Sequence, residues 1–490
     1  MRRQLRKFAR FFALPAIVAC SLTAAAAQDK DFGAFAEKEL QHRSMQLFGI
    51  QDPVAASAFG PYTQFDSVNA VDVAKGLSVS LVTAANHPDS DMIALWPSDS
   101  NPTHLIVAVE NGTSAPGVQV VNIATGAANT ILTGLSTADP IRRTPWGTIV
   151  VAEEAGSNGG LYEILDPLSL IGSPVTITNR NVGTTTNPAK VVKRKAIGAL
   201  SFEGLGIFPN GTLYYGDELR PDIGKPGVAI YKFIPFAPWI PGNSPITTLA
   251  NSPFALGNIY GMRLGTNSGN TDYGQGTEIG KGAWVPIDAI TFSDANSNII
   301  LRNAQTALKL TGYYRPEDLE VDPIALAEDK VRFCVANTGR TTHNSNSVVE
   351  NAGQYGEVIC VTDEPNPSAT TGRQPFAVRF IQGDPDASHF DNLAFQPGTG
   401  RLVILEDGAT VSNAGSGDVP RGNDIWLALQ DGEDRDVQSD GLIRILSLKD
   451  TDSETTGFIF DASGETAYVN LQHRATGVGA LLKITGFQVK

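Results

Sequence analysis

The sequence predicts an all-β chain folded as a β-propeller, six blades preferred, with loop and short helical insertions. Three observations point there: one hairpin with acids at both ends, its return along the chain, and a composition rich in turn residues. The hairpin runs Glu203-Gly-Leu-Gly-Ile-Phe-Pro-Asn-Gly-Thr-Leu-Tyr-Tyr-Gly-Asp217-Glu218. A short apolar run ends at Phe208, Pro209-Asn210-Gly211 supplies the turn, and Thr212 to Tyr215 is β-branched and aromatic. Both ends of a hairpin lie on one side, so Glu203 meets Asp217 and Glu218 at a rim suited to a hard cation or a phosphate.

Residues 141–154 repeat the phrase and close on Glu153-Glu154, and residues 391–407 open on Asp391 and close on Glu406-Asp407. Residues 317–337 carry it with a longer turn, and residues 457–472 end it without an acid. Units too small to bury their own faces, repeated at irregular spacing, describe propeller blades whose loops carry insertions. A β-sandwich with coincidental turns is the competing architecture. In a propeller the inner strands converge on a channel, and acids at their ends share one mouth.

With 490 residues, 42% hydrophobic, the chain can bury a large core, and 49 Gly and 29 Pro supply many turns. The formal charge is −14; the first 27 residues hold Arg2, Arg3, Arg6, Lys7 and Arg10 and no acid, so subtracting five leaves −19 for the rest. An acidic surface of that size argues against nucleic acid and against an anionic membrane face. It suits divalent cations, and it also keeps an exported protein soluble without any site.

Residues 1–27 read as an export signal: a basic start, an apolar run from Phe11 to Ala19, then Ala25-Ala26-Ala27. The opening Arg2-Arg3-Gln-Leu-Arg-Lys7 is similar to a twin-arginine signal. Ile17-Val-Ala-Cys20 also fits a lipoprotein box, so acylation at Cys20 is an alternative to a soluble periplasmic or secreted protein. No later segment is apolar long enough to span a bilayer. Residues 28–490 then form one propeller domain, expected as a monomer. Its cysteines, Cys334 and Cys360, sit in strand-like runs of what reads as one blade, which fits a disulfide or two buried thiols.

Along the chain, residues 28–60 read as a partly helical lead-in. Lys190 to Lys195 reads as a solvated basic loop, Val228 to Ile234 as an outer strand, residues 267–282 as a Gly/Asn-rich lid, and residues 289–308 as a helical insertion. Residues 340–356 form another polar loop, and Asp424 opens a strand of the penultimate blade.

Asp and Glu clusters on turns suit Ca²⁺, which takes six to eight oxygen ligands. The six histidines show no paired spacing, and only His389, two positions before Asp391, stays a candidate ligand. There is no Gly-rich nucleotide loop and no Gly-x-Ser-x-Gly elbow. Arg315-Pro316-Glu317-Asp318 places a guanidinium beside two acids, which fits a phosphate fork or a surface ion pair.

Thr144-Pro-Trp-Gly-Thr148 with Glu153-Glu154, Phe202-Glu203-Gly204 with Gly216-Asp217-Glu218, Arg315-Pro316-Glu317, Asn337-Thr-Gly-Arg340 and Asp391-Asn392-Leu393 together resemble the PhoX-type alkaline phosphatases over about residues 100–430. The resemblance implies an exported propeller whose channel holds Ca²⁺ and a pair of Fe³⁺ ions and hydrolyses phosphate esters. By matching positions it implies Glu110, Glu153, Glu203 and Glu317 as metal ligands and Arg315 as a phosphate clamp, which makes Arg315 and Glu317 the catalytic candidates. Glu154, Asp217, Glu218, Asp391 and Asp407 are further candidates from corresponding strand ends. The family's iron-binding Cys is Ala152 here, the His before the central Glu-Gly is Phe202, and the later Asp-Gly is Asp391-Asn392. Without a thiolate, an all-oxygen Ca²⁺, Mn²⁺ or Mg²⁺ site fits better than Fe³⁺. The expected function is a metal-dependent phosphatase acting on small phosphate monoesters. The alternatives are an inactive Ca²⁺-stabilised binding module and a lactonase-like propeller hydrolase.

Overall fold

A computed structural model describes residues 34–219, 227–265, 279–339, 355–363, 374–408, 410–411, 419–432 and 436–489. The expected leader with Cys20 lies outside these residues, as do most of the expected lid at 267–282 and of the loop at 340–356. Six antiparallel blades follow one another along the chain, and their inner strands are Ser90–Trp96, Ala138–Arg143, Phe202–Ile207, Pro316–Val321, Phe390–Phe395 and Glu454–Phe460. Each inner strand packs beside the next, and the sixth returns to the first, so the ring is closed around a channel. We number the blades one to six in this order.

Closure uses the start of the chain. Ser78–Thr83 supplies the outer strand of blade six by pairing with Ala480–Thr485, and Val71–Val73 adds to blade five. Blades three and four share one nine-stranded sheet, because the extra strand Gly280–Ile287 pairs with Gly257–Leu264 and then with Phe376–Gln382.

The middle strands are apolar on both faces, and period-two alternation sends neighbouring residues to different blade interfaces. In His104–Val109, Ile106 and Ala108 pack toward blade two while Leu105 and Val107 pack toward blade six. In Thr148–Glu153, Val150 and Ala152 face blade three, and Ile149 and Val151 face blade one. Cys334 and Ala336 likewise face blade five, while Phe333 and Val335 face blade three. A strand that must serve two interfaces reads as a continuous apolar run, which is why the sequence shows runs rather than clean alternation.

Cys334 and Cys360 are register partners on adjacent strands of blade four and form a disulfide, Cα to Cα 4.0 Å. Three expectations are corrected. Lys190 to Lys195 is not a solvated loop: Val191–Lys193 is the outer strand of blade two, and Arg194 is buried against Glu163 at 2.6 Å, a carboxylate that also accepts from Trp146 and Thr148. The helix at 289–308 is broken into Ala289–Phe292 and Leu301–Leu308, because Asp294 caps the backbone of Asn296 and Asn298 in a turn. Ile230–Pro235 is an internal strand of blade three, paired on both sides. The lead-in is helical at Ala34–Leu47, and Asp424–Ala428 is a strand of blade five. Among the described residues no helix is long and apolar enough to cross a membrane.

The inner strands of blades three and four touch most closely at Gly204, where a Cβ would run into the backbone nitrogen of Leu319. Gly204→Ala is expected to cost about 3 kcal/mol or more in urea unfolding. Gly112→Ala, with nothing within 4 Å, is expected to change stability by less than about 0.5 kcal/mol.

Candidate metal centre

One local pattern recurs in the blades. The second residue of the inner strand is Asp91, Asp139, Glu203, Glu317 and Asp391 in blades one to five. Directly after each acid the pairing to the next strand shifts, between Ser90 and Ile93, Ala138 and Ile141, Phe202 and Leu205, Pro316 and Leu319, and Phe390 and Leu393. Such a bulge bends the strand and re-aims its side chains. Here the five acids are buried at one end of the channel. Blade six differs: its acid is the first strand residue, Glu454, and the shift falls between Thr456 and Ile459.

A second tier follows the end of the second strand in blades one to five. The N–H groups of Glu110, Glu154, Glu218 and Asp407 donate to the carbonyls of Asp89, Thr137, Ser201 and His389, each the residue just before an inner strand. Thr338 occupies this place in blade four and donates to Arg315 at 3.1 Å. Thr137, Arg315 and His389 have φ of 45°, 53° and 54°, a left-handed backbone that is strained for residues other than glycine. The fold holds that strain at the rim where the carboxylates gather.

Three overlapping groups have ligand atoms within 4.8 Å of one another: Asp139, Glu154 and Glu203; Glu203, Glu317 and Asp391; Asp391, Asp407 and Glu454. Arg315 stands among them. Its Nε lies 2.6 Å from Glu317 and 2.7 Å from Glu218, and its Nη1 lies 3.2 Å from Asp407. Burial alone would lower the Arg315 pKa, but Glu317, Asp407 and Glu218 push it up, so the guanidinium stays charged.

Burial and mutual repulsion hold the acids well above the usual carboxylate range. Glu203 is raised by burial, then by Asp139 and Glu317, and Asp391 by burial, then by Glu317 and Asp407. Glu154 is pushed up to about 11 by burial, then by Glu218 and Asp139, and Asp139 reaches about 7 mainly through burial. Glu317 reaches about 8 because burial outweighs Arg315. Asp91 is raised by burial, then by Asp139 and Glu110, and its Oδ1 is buried without a hydrogen bond, as is Oδ1 of Asp139. Buried acceptors without donors, crowded by like charge, fit a cation as the absent partner. The donor set is all oxygen, which selects hard cations.

Among the described residues no Cys or His belongs to these groups. Ala152 packs in the core with Trp146, Leu200 and Phe202 and offers no donor, and the two thiols at 334 and 360 are tied up in the disulfide. A thiolate-ligated iron does not fit this donor set.

Of the acids expected from the sequence, Glu154, Glu203, Glu317, Asp391 and Asp407 are brought together. Glu110 lies at the edge, accepting from Gln472 at 2.9 Å, and Glu218 faces Arg315. Glu153 and Asp217 lie outside the three groups. Glu153 accepts from Arg180 at 2.6 Å and from the N–H of Ser136; Asp217 takes both arms of Arg302 at 2.7 Å and the N–H of Ser201. Glu406 repeats this in blade five with Arg421 and the N–H of Ser388. These three sit one residue before the second tier, and each pins the loop that enters an inner strand. His389 is buried at the blade-five corner with Nδ1 3.0 Å from the Ser388 hydroxyl, outside the carboxylate groups. Sequence reasoning missed Asp91, Asp139 and Glu454. The available signal for the first two was an acid two residues before an Ile, Asp91-Met-Ile and Asp139-Pro-Ile; Glu454-Thr-Thr-Gly lacks that spacing.

Residues 113–475 match the family described as alkaline phosphatase PhoX. The chain belongs to this family. Pseudomonas fluorescens PhoX, solved in complex with vanadate as a transition-state analogue, is similar to it at a TM-score of 0.61 and 16% identity, covering 90% of this chain and 98% of that one. A Xanthomonas campestris gluconolactonase has a TM-score of 0.43 at 12% identity and covers 89% of this chain and 98% of its own. A PQQ-bound aldose sugar dehydrogenase from Streptomyces coelicolor has the same score and identity over 84% and 98%. At that likeness neither bears on the chemistry. No curated protein matches the chain.

The raised carboxylates fix a sign. Free carboxylates titrate near pH 4, whereas Asp139 and Glu317 in the folded chain titrate at about 7 and 8. The folded protein therefore binds more protons than the unfolded one between these values, and its stability falls as pH rises through them. Metal-free protein is expected to lose on the order of 5 °C in Tm between pH 5.5 and 9, and saturating Ca²⁺ to remove most of that loss. Scanning calorimetry with and without EGTA checks it, and a Tm that rises with pH in the metal-free protein contradicts it.

Proposed function

We propose that this chain is a periplasmic or secreted, metal-dependent phosphatase that hydrolyses small phosphate monoesters. The observation that carries this is Arg315, held by three carboxylates in the midst of overlapping acid groups from five blades. Family membership gives the reaction class its support. Asp139, Glu154, Glu203, Glu317, Asp391, Asp407 and Glu454 would hold the cations, Ca²⁺ first, with Mn²⁺ or Mg²⁺ as the second type rather than Fe³⁺. Bound cations would neutralise the charge of the ester and polarise its P–O bond.

The chain's own groups do the rest. Arg315 is a planar donor whose orientation is set before substrate arrives, so its N–H groups can meet phosphoryl oxygens without reorganisation. Glu317 keeps that guanidinium in place through a 2.6 Å contact and is itself steadied by the Thr338 hydroxyl, also at 2.6 Å. The closed ring of inner strands keeps the groups at fixed separation, as a site for in-line displacement requires.

Export through the leader in residues 1–27 agrees with the disulfide of blade four, which suits an oxidising compartment. The mature protein is proposed to be a monomer with one propeller domain. A second reading, a cation-stabilised propeller that binds without turnover, draws on the cluster's evident need for a counter-charge. Glu317→Gln separates the two.

EGTA is expected to abolish turnover of an aryl phosphate, with Ca²⁺ restoring it. Glu317→Gln and Arg315→Met are each expected to lower kcat/KM at least about 100-fold with Tm changed by less than a few degrees. Full activity in chelated protein rejects the metal-dependent reading, and a loss of Tm without loss of rate favours the binding module.

A further inference from the structure

We infer that Asp318, held by Arg142, is a positioning residue for the carboxylate cluster, an inference that rests on the cation-binding reading above. Arg142 lies on the inner strand of blade two, three residues after Asp139, and crosses the channel past blade three to blade four. Its Nη2 donates to Asp318 Oδ1 at 2.9 Å and to Glu320 at 2.5 Å. Its Nη1 donates to the carbonyl of Ile141 at 3.1 Å. Asp318 in turn accepts from two backbone N–H groups, its neighbour Leu319 at 2.7 Å and Leu393 of blade five at 3.1 Å.

The three backbone groups have one thing in common. Ile141, Leu319 and Leu393 are the residues at which strand pairing resumes after the bulges that carry Asp139, Glu317 and Asp391. A single Arg–Asp pair thus pins three bulges on three blades, and each bulge aims one acid of the cluster. Both Asp318 oxygens are engaged and its side chain is 2% exposed, so it is not itself a ligand. It acts on the cations through the strands, as groups behind metal ligands do.

Beneath the pair lies a cavity of about 340 Å³ bounded by Arg142, Glu320 and the phenylalanines Phe395, Phe458 and Phe460. A shortened side chain at position 142 would be replaced there by water, so variants at this position can keep the fold.

Calorimetric titration of Ca²⁺ into metal-free Asp318→Asn and Arg142→Met is expected to show affinity about 10- to 100-fold weaker than wild type. The double variant Arg142→Met/Asp318→Asn is expected to be no weaker than the worse single variant, because the pair acts as a unit. Adding Glu320→Gln to this pair removes every charge that Arg142 pairs with, so the triple variant serves where a single variant fails to fold. A purely structural role would lower the Tm of the metal-free protein and leave affinity alone. Wild-type affinity in folded variants therefore overturns the inference. A wild-type protein that takes up no Ca²⁺, Mn²⁺ or Mg²⁺ overturns the cation-binding reading and this inference together, so the two failures are told apart by the wild-type titration.

Discussion

The repulsion among carboxylates crowded at one end of the channel is the constraint that the rest of this structure answers. Burying one ionised carboxylate without a partner is costly, and burying several side by side compounds the cost. Asp91, Asp139, Glu203, Glu317 and Asp391 are nonetheless brought together by five successive blades, each through the same bulge. A chain that repeats an unfavourable placement five times has a use for the charge. The overlap of the three groups through Glu203 and Asp391 suits more than one cation sharing ligands.

Guanidinium groups frame this charge at three levels. Arg315 sits within it. Arg142 closes it from below through Asp318 and Glu320. Farther out, Arg180, Arg302 and Arg421 hold Glu153, Asp217 and Glu406 against the loops that enter the inner strands. The planar, fork-like geometry of arginine suits all three tasks, since each needs two directions fixed at once. Acids of the same type in adjacent positions, Glu153 and Glu154 or Asp217 and Glu218, thereby serve opposite ends: one fastens a blade and the next faces the channel.

The architecture was legible because a strand and its turn are local facts. Pro209-Asn210-Gly211 between two apolar runs specifies a hairpin wherever it occurs, and its echoes gave the blades. The adjacent acids at 153–154 and 217–218 also announced a rim. What stayed hidden was set by register. Whether Asp91 or Asp139 faces the channel depends on a bulge that shifts pairing by backbone geometry, and the spacing of an acid two residues before Ile does not by itself reveal the bulge. Arg194 looked solvated because its partner Glu163 lies in a strand, Leu161–Leu165, that reads as core. The division of labour between Glu153 and Glu154 is equally invisible until the arginine from a distant loop is placed.

The seam at blade six sets the order in which the molecule can be completed. Residues 78–83 emerge early from the ribosome but find their pairing partner only when residues 480–485 have been made. Until then the early segment has an unpaired edge, and blade six, whose Glu454 completes a group with Asp391 and Asp407, lacks its outer strand. The ring around the carboxylates is therefore sealed only where these two distant segments pair. Any cation shared between blades five and six would find its full ligand set only in the closed ring, with the first long strand zipped to the last.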